Sequence, residues 1–319
     1  MLWDTPRERR DDYLSSKEID PFLLRLLHPD DRTFGRDKIA SAEHARENGI
    51  PWIPTLAVVN RREGSPAKGA IVVDRPRDLW PSLDALAARG ALALKPAHGL
   101  QGRGFYAVLG GSGGVVDATG RPVARDELMR SIFEYTREGT GFGYLAQPLL
   151  RAHPAMVELT GVEALATMRM VTARHESGYF TLQSLLKIPA PGHFTDNFRG
   201  GVSGTFIAAV NPSDGRLTDL VGLTRSGHRH VIERTPIHPK TGKRLNGKEL
   251  PFWQECFRIA ELAATAHPKS PLFAWDIGLG PDGWVVLEAN ATWGPTGYQI
   301  CTRQGLRPLL AKLYPADWA

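Results

Sequence analysis

Cysteine is nearly absent: Cys256 and Cys301 are the only two among 319 residues, and no Cys-x-x-Cys pair occurs. This excludes a disulfide framework and a thiolate zinc site, and it fits a reducing, cytoplasmic setting. No stretch approaches the roughly 18 apolar residues of a membrane span, and residues 1–12 are crowded with charge where an export signal needs an apolar core. A soluble, unexported protein is expected. Charge of one sign is scarce too, with 39 Lys+Arg against 34 Asp+Glu, so neither an acidic tail nor a histone-like basic coat is present. There is no Walker Gly-Lys-Ser/Thr, no internal repeat and no low-complexity tract beyond one glycine turn. What remains is globular material, 42% hydrophobic, enough for about two domains at ~150 residues each.

Residues 1–36 are polar and read as a helical arm, with too little apolar periodicity for a domain. Residues 37–48 are Ala-rich and meet Gly49, after which Pro51 and Pro54 force an extended run towards Val59. A helix over 82–89 precedes an apolar strand over 91–94, and Pro96 holds Lys95 extended at the strand's end. Strands at 105–109 and 115–116 flank a glycine turn, and 126–138 forms an amphipathic helix. The second half is β-rich, with strands at 168–173, 180–188 and 205–210, a helix over 251–266, and a terminal helix over 306–314.

The most informative stretch is 273–293, two apolar strands around Pro281-Asp282-Gly283. A three-residue loop there sets Asp276 opposite Glu288. Directly opposed side chains have Cβ atoms about 4.5–5.5 Å apart, so two carboxylates repel unless a cation intervenes. Asn290 points to the same side, two residues on, and completes an oxygen-only set suited to Mg²⁺ or Mn²⁺. A protective charged sheet edge is the alternative, but these acids are embedded in Trp, Ile, Leu and Val. Mg²⁺ completes its shell with phosphate oxygens, so the hairpin predicts a nucleotide site elsewhere.

Lys95 followed by Gly99, Gly102, Arg103 and Gly104 supplies such a site: backbone N–H groups free of Cβ atoms beside a point charge. It is no Rossmann fingerprint, because the strand-formers Phe105, Tyr106 and Val108 follow the glycines, and a plain hairpin turn is the competing reading. Gly110-x-Ser112-x-Gly114 spells a nucleophile elbow with no helix behind it, and His228-x-His230 lacks a third ligand, so neither is given a catalytic or metal role.

Taken together, these motifs resemble the ATP-grasp ligases, more narrowly the sugar-transfer-associated or α-L-glutamate-ligase-related branch. The pieces are Asp37-Lys38 before Gly49-Ile50-Pro51, Lys95-Pro96 before a glycine lid, a hinge strand, and Asp276 followed by Glu288-x-Asn290. Met168–Thr172, Asp196-Asn197 and His238-Pro239 are branch-like. The resemblance implies an α+β ATP-grasp fold, two lobes with antiparallel sheets clamping a nucleotide. Residues 37–145 would be the N-lobe with its lid, 146–300 the C-lobe with the metal hairpin, and 301–319 a C-terminal helix. Lys38, Lys95 and Lys187 would contact ATP phosphates, and the hinge Gln147, Pro148, Leu149 would hold adenine. Asp276, Glu288 and Asn290 would bind magnesium.

Two departures stand out. The arm is too short for the separate α/β domain many relatives carry in front, and Ala274 occupies a place where ligases of the D-alanine type carry an arginine. Arg169 or Arg225, with Lys187, is the candidate to supply that charge to the transferring phosphoryl group. The expected activity is ADP-forming ligation of a small carboxylate to an amine, or to a thiol, through an acyl phosphate. Residues 216–248 carry eight Lys/Arg against Asp219 and Glu233, which reads as a cationic loop facing an anionic acid substrate. Phosphoryl transfer to a hydroxyl or sugar is one rival. A non-enzymatic binder of nucleic acid or anionic glycan is another, disfavoured by the modest net charge and the lack of aromatic residues interleaved with the basic loop.

Overall fold

The computed structural model describes residues 6–317 except 30, 36, 65–66, 99–103, 112, 136–140, 176–177, 199–201, 227–228 and 267–268. After a 3-10 turn at Arg7–Asp12, the arm forms α1 (Ser16–Leu26) and α2 (Asp31–Phe34), followed by α3 (Lys38–Glu47). Next come β1 (Ala57–Val59), β2 (Ile71–Val73), α4 (Pro76–Ala87), β3 (Leu92–Pro96), β4 (Tyr106–Val108), β5 (Val115–Asp117), α5 (Arg125–Tyr135) and β6 (Tyr144–Pro148). The remainder is α6 (Pro154–Thr160), β7 (Thr167–His175), β8 (Gly178–Ile188), β9 (Phe206–Ala209), β10 (Leu220–Ser226) and β11 (Arg229–Thr235). It ends with α7 (Trp253–Thr265), β12 (Leu272–Gly280), β13 (Gly283–Asn290), α8 (Thr296–Thr302) and α9 (Arg307–Leu313).

The strands make two sheets. Six run in the order β2-β1-β6-β3-β4-β5, antiparallel but for β1 and β2, and seven run fully antiparallel in the order β11-β10-β9-β8-β7-β12-β13. This is the α+β architecture expected from the sequence. Leu79 and Leu83 of α4 and Leu128 and Ile132 of α5 bury one side of the first sheet, the i, i+4 spacing that makes a helix amphipathic. On the second sheet, Trp253, Cys256, Ile259 and Ala263 of α7 pack against Met168, Met170, Leu186 and Trp275. Those strand positions alternate with the charged ones, so the opposite face is left for polar chemistry.

The arm is part of this second unit. Ile19, Phe22 and Leu23 of α1 pack with Val171, Leu272, Ala274 and Leu310. Gln299 of α8 fastens it: its Oε1 accepts from the Leu14 and Leu306 backbone N–H groups at 2.9 and 3.0 Å, and its Nε2 donates to the Leu14 carbonyl at 2.8 Å. Ala274 therefore lies under an apolar arm, where an arginine would be buried among hydrocarbon.

Three local expectations need correction. Residues 216–248 are not a loop: β10 and β11 form an antiparallel hairpin there, paired from Leu220↔Thr235 to Ser226↔Arg229. Leu220, Val221, Leu223, Val231 and Ile232 supply the strand pattern that the charge count obscures. The helix expected over 82–89 begins earlier, at Pro76, which suits the first helical position, while Pro81 lies inside the helix. The hairpin loop is two residues, Pro281-Asp282, with Gly280 opposite Gly283, yet Asp276 still faces Glu288 because a bulge at Leu287 shifts the register by one.

Candidate active site

Between the sheets runs a cleft of about 680 Å³. Its C-lobe wall is one face of the second sheet. Register places Glu288 opposite Asp276, Asp276 opposite Arg169, and Thr167 opposite Lys187, so four neighbouring strands present these side chains together. Arg169 grips Asp276 through two parallel bonds, Nε to Oδ1 at 2.5 Å and a terminal nitrogen to Oδ2 at 2.6 Å. Lys187 Nζ sits 3.2 Å from Asp276 Oδ1 and 3.1 Å from Asp196 Oδ2, and the Thr167 hydroxyl also donates to Asp196. Burial pushes the Asp276 carboxyl up, but Arg169 and Lys187 outweigh it and hold the group well below the usual carboxylate range. Burial likewise works against the Arg169 guanidinium, and the Asp276 charge overrides it to raise its pKa.

The N-lobe reaches the same place from strand and helix ends. Asp37 caps α3, accepting from the Ile39 N–H at 3.0 Å, and is neutralised by Arg61 at 2.6 Å with both side chains almost wholly buried. The Lys38 N–H donates to the Ala97 carbonyl at 3.0 Å, fixing the helix start beside the end of β3. Lys38 Nζ then lies 3.7 Å from Glu288 Oε2. Lys95, Ala93 and Ala91 line the cleft at alternate positions, and burial pushes the Lys95 ammonium down to about 8, against the pull of Glu288. Gly104 has φ +70°, and a Cβ there would lie 2.7 Å from the Tyr144 hydroxyl oxygen, so the position admits only glycine.

The hinge at β6 shows a vacancy in bonding. Gln147 is buried, stands opposite Ala93, and neither its amide oxygen nor its nitrogen has a hydrogen-bond partner among the described residues. A buried amide with both ends unmet is costly, and it offers one donor and one acceptor, as the edge of an adenine requires. Pro148, Leu149, Leu150 and Leu287 add apolar lining. For a metal, Asp276 and Glu288 with Asn290 form a two-carboxylate oxygen set. Asn290 Nδ2 is 3.5 Å from Glu288 Oε1, and no group of three or more His, Cys, Asp or Glu with metal-site geometry occurs among the described residues. Mg²⁺ needs only one or two protein carboxylates, so this set fits it, with Arg169 and Lys187 sharing Asp276.

Of the residues singled out from the sequence, Lys38, Lys95, Gln147, Pro148, Leu149, Arg169, Lys187, Asp276 and Glu288 come together at the cleft or its carboxylates. Asn290 faces a smaller cavity next to it. Gly99, Gly102 and Arg103 lie outside the described residues, as does the Arg225 side chain, whose strand β10 is four strands from Asp276. Sequence reasoning gave no site role to Asp196, which shares Lys187, or to Arg61, which neutralises Asp37. Asp196 carried a visible signal, as the acid in a Gly/Asn-rich loop. Arg61 carried none, because its value depends on a contact 24 residues away.

No helix among the described residues is long and apolar enough to cross a membrane. No curated protein matches the sequence. Solved structures similar in fold include a carboxyaminoimidazole ribonucleotide synthase from Aspergillus clavatus complexed with ATP, 11% identical with a TM-score of 0.41, covering 89% of this chain and 53% of that one. Another is D-alanyl-alanine synthetase A from Vibrio cholerae O1 biovar eltor, 12% identical, TM-score 0.45, covering 89% and 65%. A D-cycloserine synthetase is 14% identical, TM-score 0.44, covering 95% and 80%. The chain thus spans about half the length of the first of these. The model of the sugar-transfer-associated ATP-grasp family matches residues 31–314, and the chain belongs to that family.

Proposed function

We propose that the protein is an ADP-forming ligase that joins a small carboxylate to an amine, or less readily to a thiol, through an acyl phosphate. The observation that carries this reading is the convergence of Lys38, Lys95, Lys187 and Arg169 on Asp276, Glu288 and Asp196 in one cleft. Such a set neutralises and aligns a triphosphate; it contains no nucleophile for a covalent enzyme intermediate. Both cysteines are buried, and burial pushes the Cys301 thiol up to about 12 and that of Cys256 higher still.

In this reading Gln147 and the hinge orient adenine, Lys95 and Lys187 hold the phosphates, and Arg169 keeps Asp276 ionised and aimed while lending charge to the transferring group. Magnesium bound by Asp276, Glu288 and Asn290 would supply further charge neutralisation and a template for the phosphates. The sugar-transfer association of the family favours a second reading, phosphoryl transfer to a sugar hydroxyl. A mass-spectrometric screen of acids and amines with MgATP decides between them: ADP with a condensed product supports ligation, and ADP with a stable phosphoester supports the alternative.

A further inference from the structure

Residues 191–197, beyond the end of β8, line the cleft and reach across to the first sheet. There the Phe194 N–H donates at 2.9 Å to the carbonyl of Ala118, the residue after β5. β5 is an edge strand, three places from the hinge strand β6. Beside the hinge, the Leu149 N–H donates to the Ala91 carbonyl at 2.8 Å. The lobes are therefore tied on both sides of the cleft, by the hinge on one and by this loop on the other.

The N-lobe side of this contact is a preformed turn. Asp117 Oδ1 accepts from the Thr119 and Arg121 N–H groups at 2.8 and 3.0 Å and from the Thr119 hydroxyl at 2.7 Å, the local bonding that suits aspartate to turns. Gly120 follows with φ +83°, and a Cβ there would lie 2.8 Å from the Gly192 carbonyl oxygen, so glycine is what lets the two turns meet. The other end of the loop belongs to the charged site. Asp196 Oδ2 lies 3.1 Å from Lys187 Nζ and accepts from the Thr167 hydroxyl, while Asp276 Oδ1 draws the same ammonium at 3.2 Å. A lysine head on a flexible stem points where its carboxylates hold it. Asp196 is two residues from Phe194, so displacing the loop from the N-lobe turn displaces one of the two groups that aim Lys187.

We propose that Asp196 is a positioning residue for Lys187, and that residues 191–197 form a strap that aims this lysine at the phosphates while the loop is joined to the N-lobe at Ala118 and Gly120. The inference rests on the reading above, which gives Lys187 to the phosphates, and adds what ties its aim to the closed cleft. Charge and position make opposite demands on Asp196. A carboxylate beside a triphosphate repels it, so removing the charge favours nucleotide binding, whereas losing the lysine's aim slows phosphoryl transfer.

The test is a double-mutant cycle in the whole chain, with ADP formation from MgATP measured alongside product identity and MgADP dissociation followed by stopped flow. Asp196→Asn keeps the side chain's shape and an acceptor for Thr167; it should lower kcat about tenfold or more while the KM for MgATP holds or falls. Gly120→Ala, which forces the turns apart, should lower kcat by a similar factor, add little to Asp196→Asn, and speed MgADP release. Gly111→Ala, at φ +65° in the turn before β5 with nothing within 4 Å of its Cβ, bears comparable backbone strain without the clash and should match the parent. Losses that multiply in the double variant, or a Gly120→Ala protein indistinguishable from Gly111→Ala, overturn the strap. A raised KM with unchanged kcat in Asp196→Asn overturns the positioning role. The expected cycle with a stable phosphoester as product supports the strap and overturns the ligase reading; a condensed product with multiplying losses overturns the strap alone. A parent that binds no MgADP overturns both.

Discussion

The two lobes deliver charge to the cleft in different ways. The C-lobe presents Asp276, Arg169 and Lys187 from the middle of paired strands, each fixed by a neighbour in register and each satisfied by another side chain in the set. The N-lobe presents Lys38 at a helix start and Lys95 at a strand end, with Lys38 Nζ 3.7 Å from Glu288. Charges of the first kind are part of the packing, so removing one leaves its partner stranded in a poorly solvated place. Charges of the second kind are available to a ligand, so removing one should be felt in binding.

The largest break in this contrast should come from Arg169→Met. It leaves Asp276, 5% exposed, with Lys187 alone, and severing a buried pair costs about 3–5 kcal/mol; the side chain of Arg169 is itself a quarter exposed, which points to the lower end. A thermal midpoint lower by several degrees and loss of ATP turnover are expected. Lys38→Met should cost less, because its 3.7 Å approach to Glu288 is longer than a hydrogen bond, whereas Arg169 holds Asp276 by two short ones. If calorimetry finds the two variants equally unstable, the distinction between the lobes fails. Glu288→Gln sharpens the contrast within the hairpin. It removes a proposed metal ligand and relieves repulsion from Asp276, so turnover should fall at least a hundredfold while the midpoint holds or rises. Parental turnover at saturating MgATP would defeat the metal assignment.

Lys95 makes the contrast depend on pH. Burial holds its folded pKa at about 8, below the ordinary lysine value of about 10.5. The unfolded chain therefore holds this proton more tightly, and the free protein should gain stability as pH rises through about 8 towards 10.5, the gain disappearing as pH falls through about 8. Nucleotide binding should run the other way, since a neutral amine offers a phosphate no charge. MgATP affinity should decline above pH 8, by up to tenfold per unit, and Lys95→Arg should abolish that decline because guanidinium stays charged. A flat profile for the parent protein would place Lys95 away from the phosphates.

What could be read from the sequence follows the same division. The opposition of Asp276 and Glu288 was legible because strand alternation has a fixed period and a Pro-Asp-Gly turn marks the hairpin. The loop length was misjudged, and the bulge at Leu287 compensated, which no turn residue announces. Lys95 was legible from the proline after it. The Arg169–Asp276 bond was not, because β7 and β12 are adjacent only through long-range pairing 107 residues apart. The arm was read as helical, but its seat over Ala274 depends on Gln299 and on apolar contacts that local pattern does not encode.

The smallest expected effect concerns the hinge, and there the signs of stability and affinity should oppose each other. Gln147 is 1% exposed with both amide atoms unmet among the described residues, a desolvation cost of about 1–3 kcal/mol that a bound adenine edge would offset. Gln147→Leu keeps the volume and deletes the unmet groups. The free variant should therefore melt at or above the parent's temperature, whereas loss of a cleft residue that merely packs would lower it. Its affinity for MgATP should fall about tenfold and that for MgGTP hardly at all, because the purine edges differ where this amide would read them. Titration of both nucleotides against both proteins measures the two ratios. If Gln147→Leu lowers the melting temperature and leaves the preference for ATP intact, the amide is structural and the hinge reads adenine through backbone groups alone.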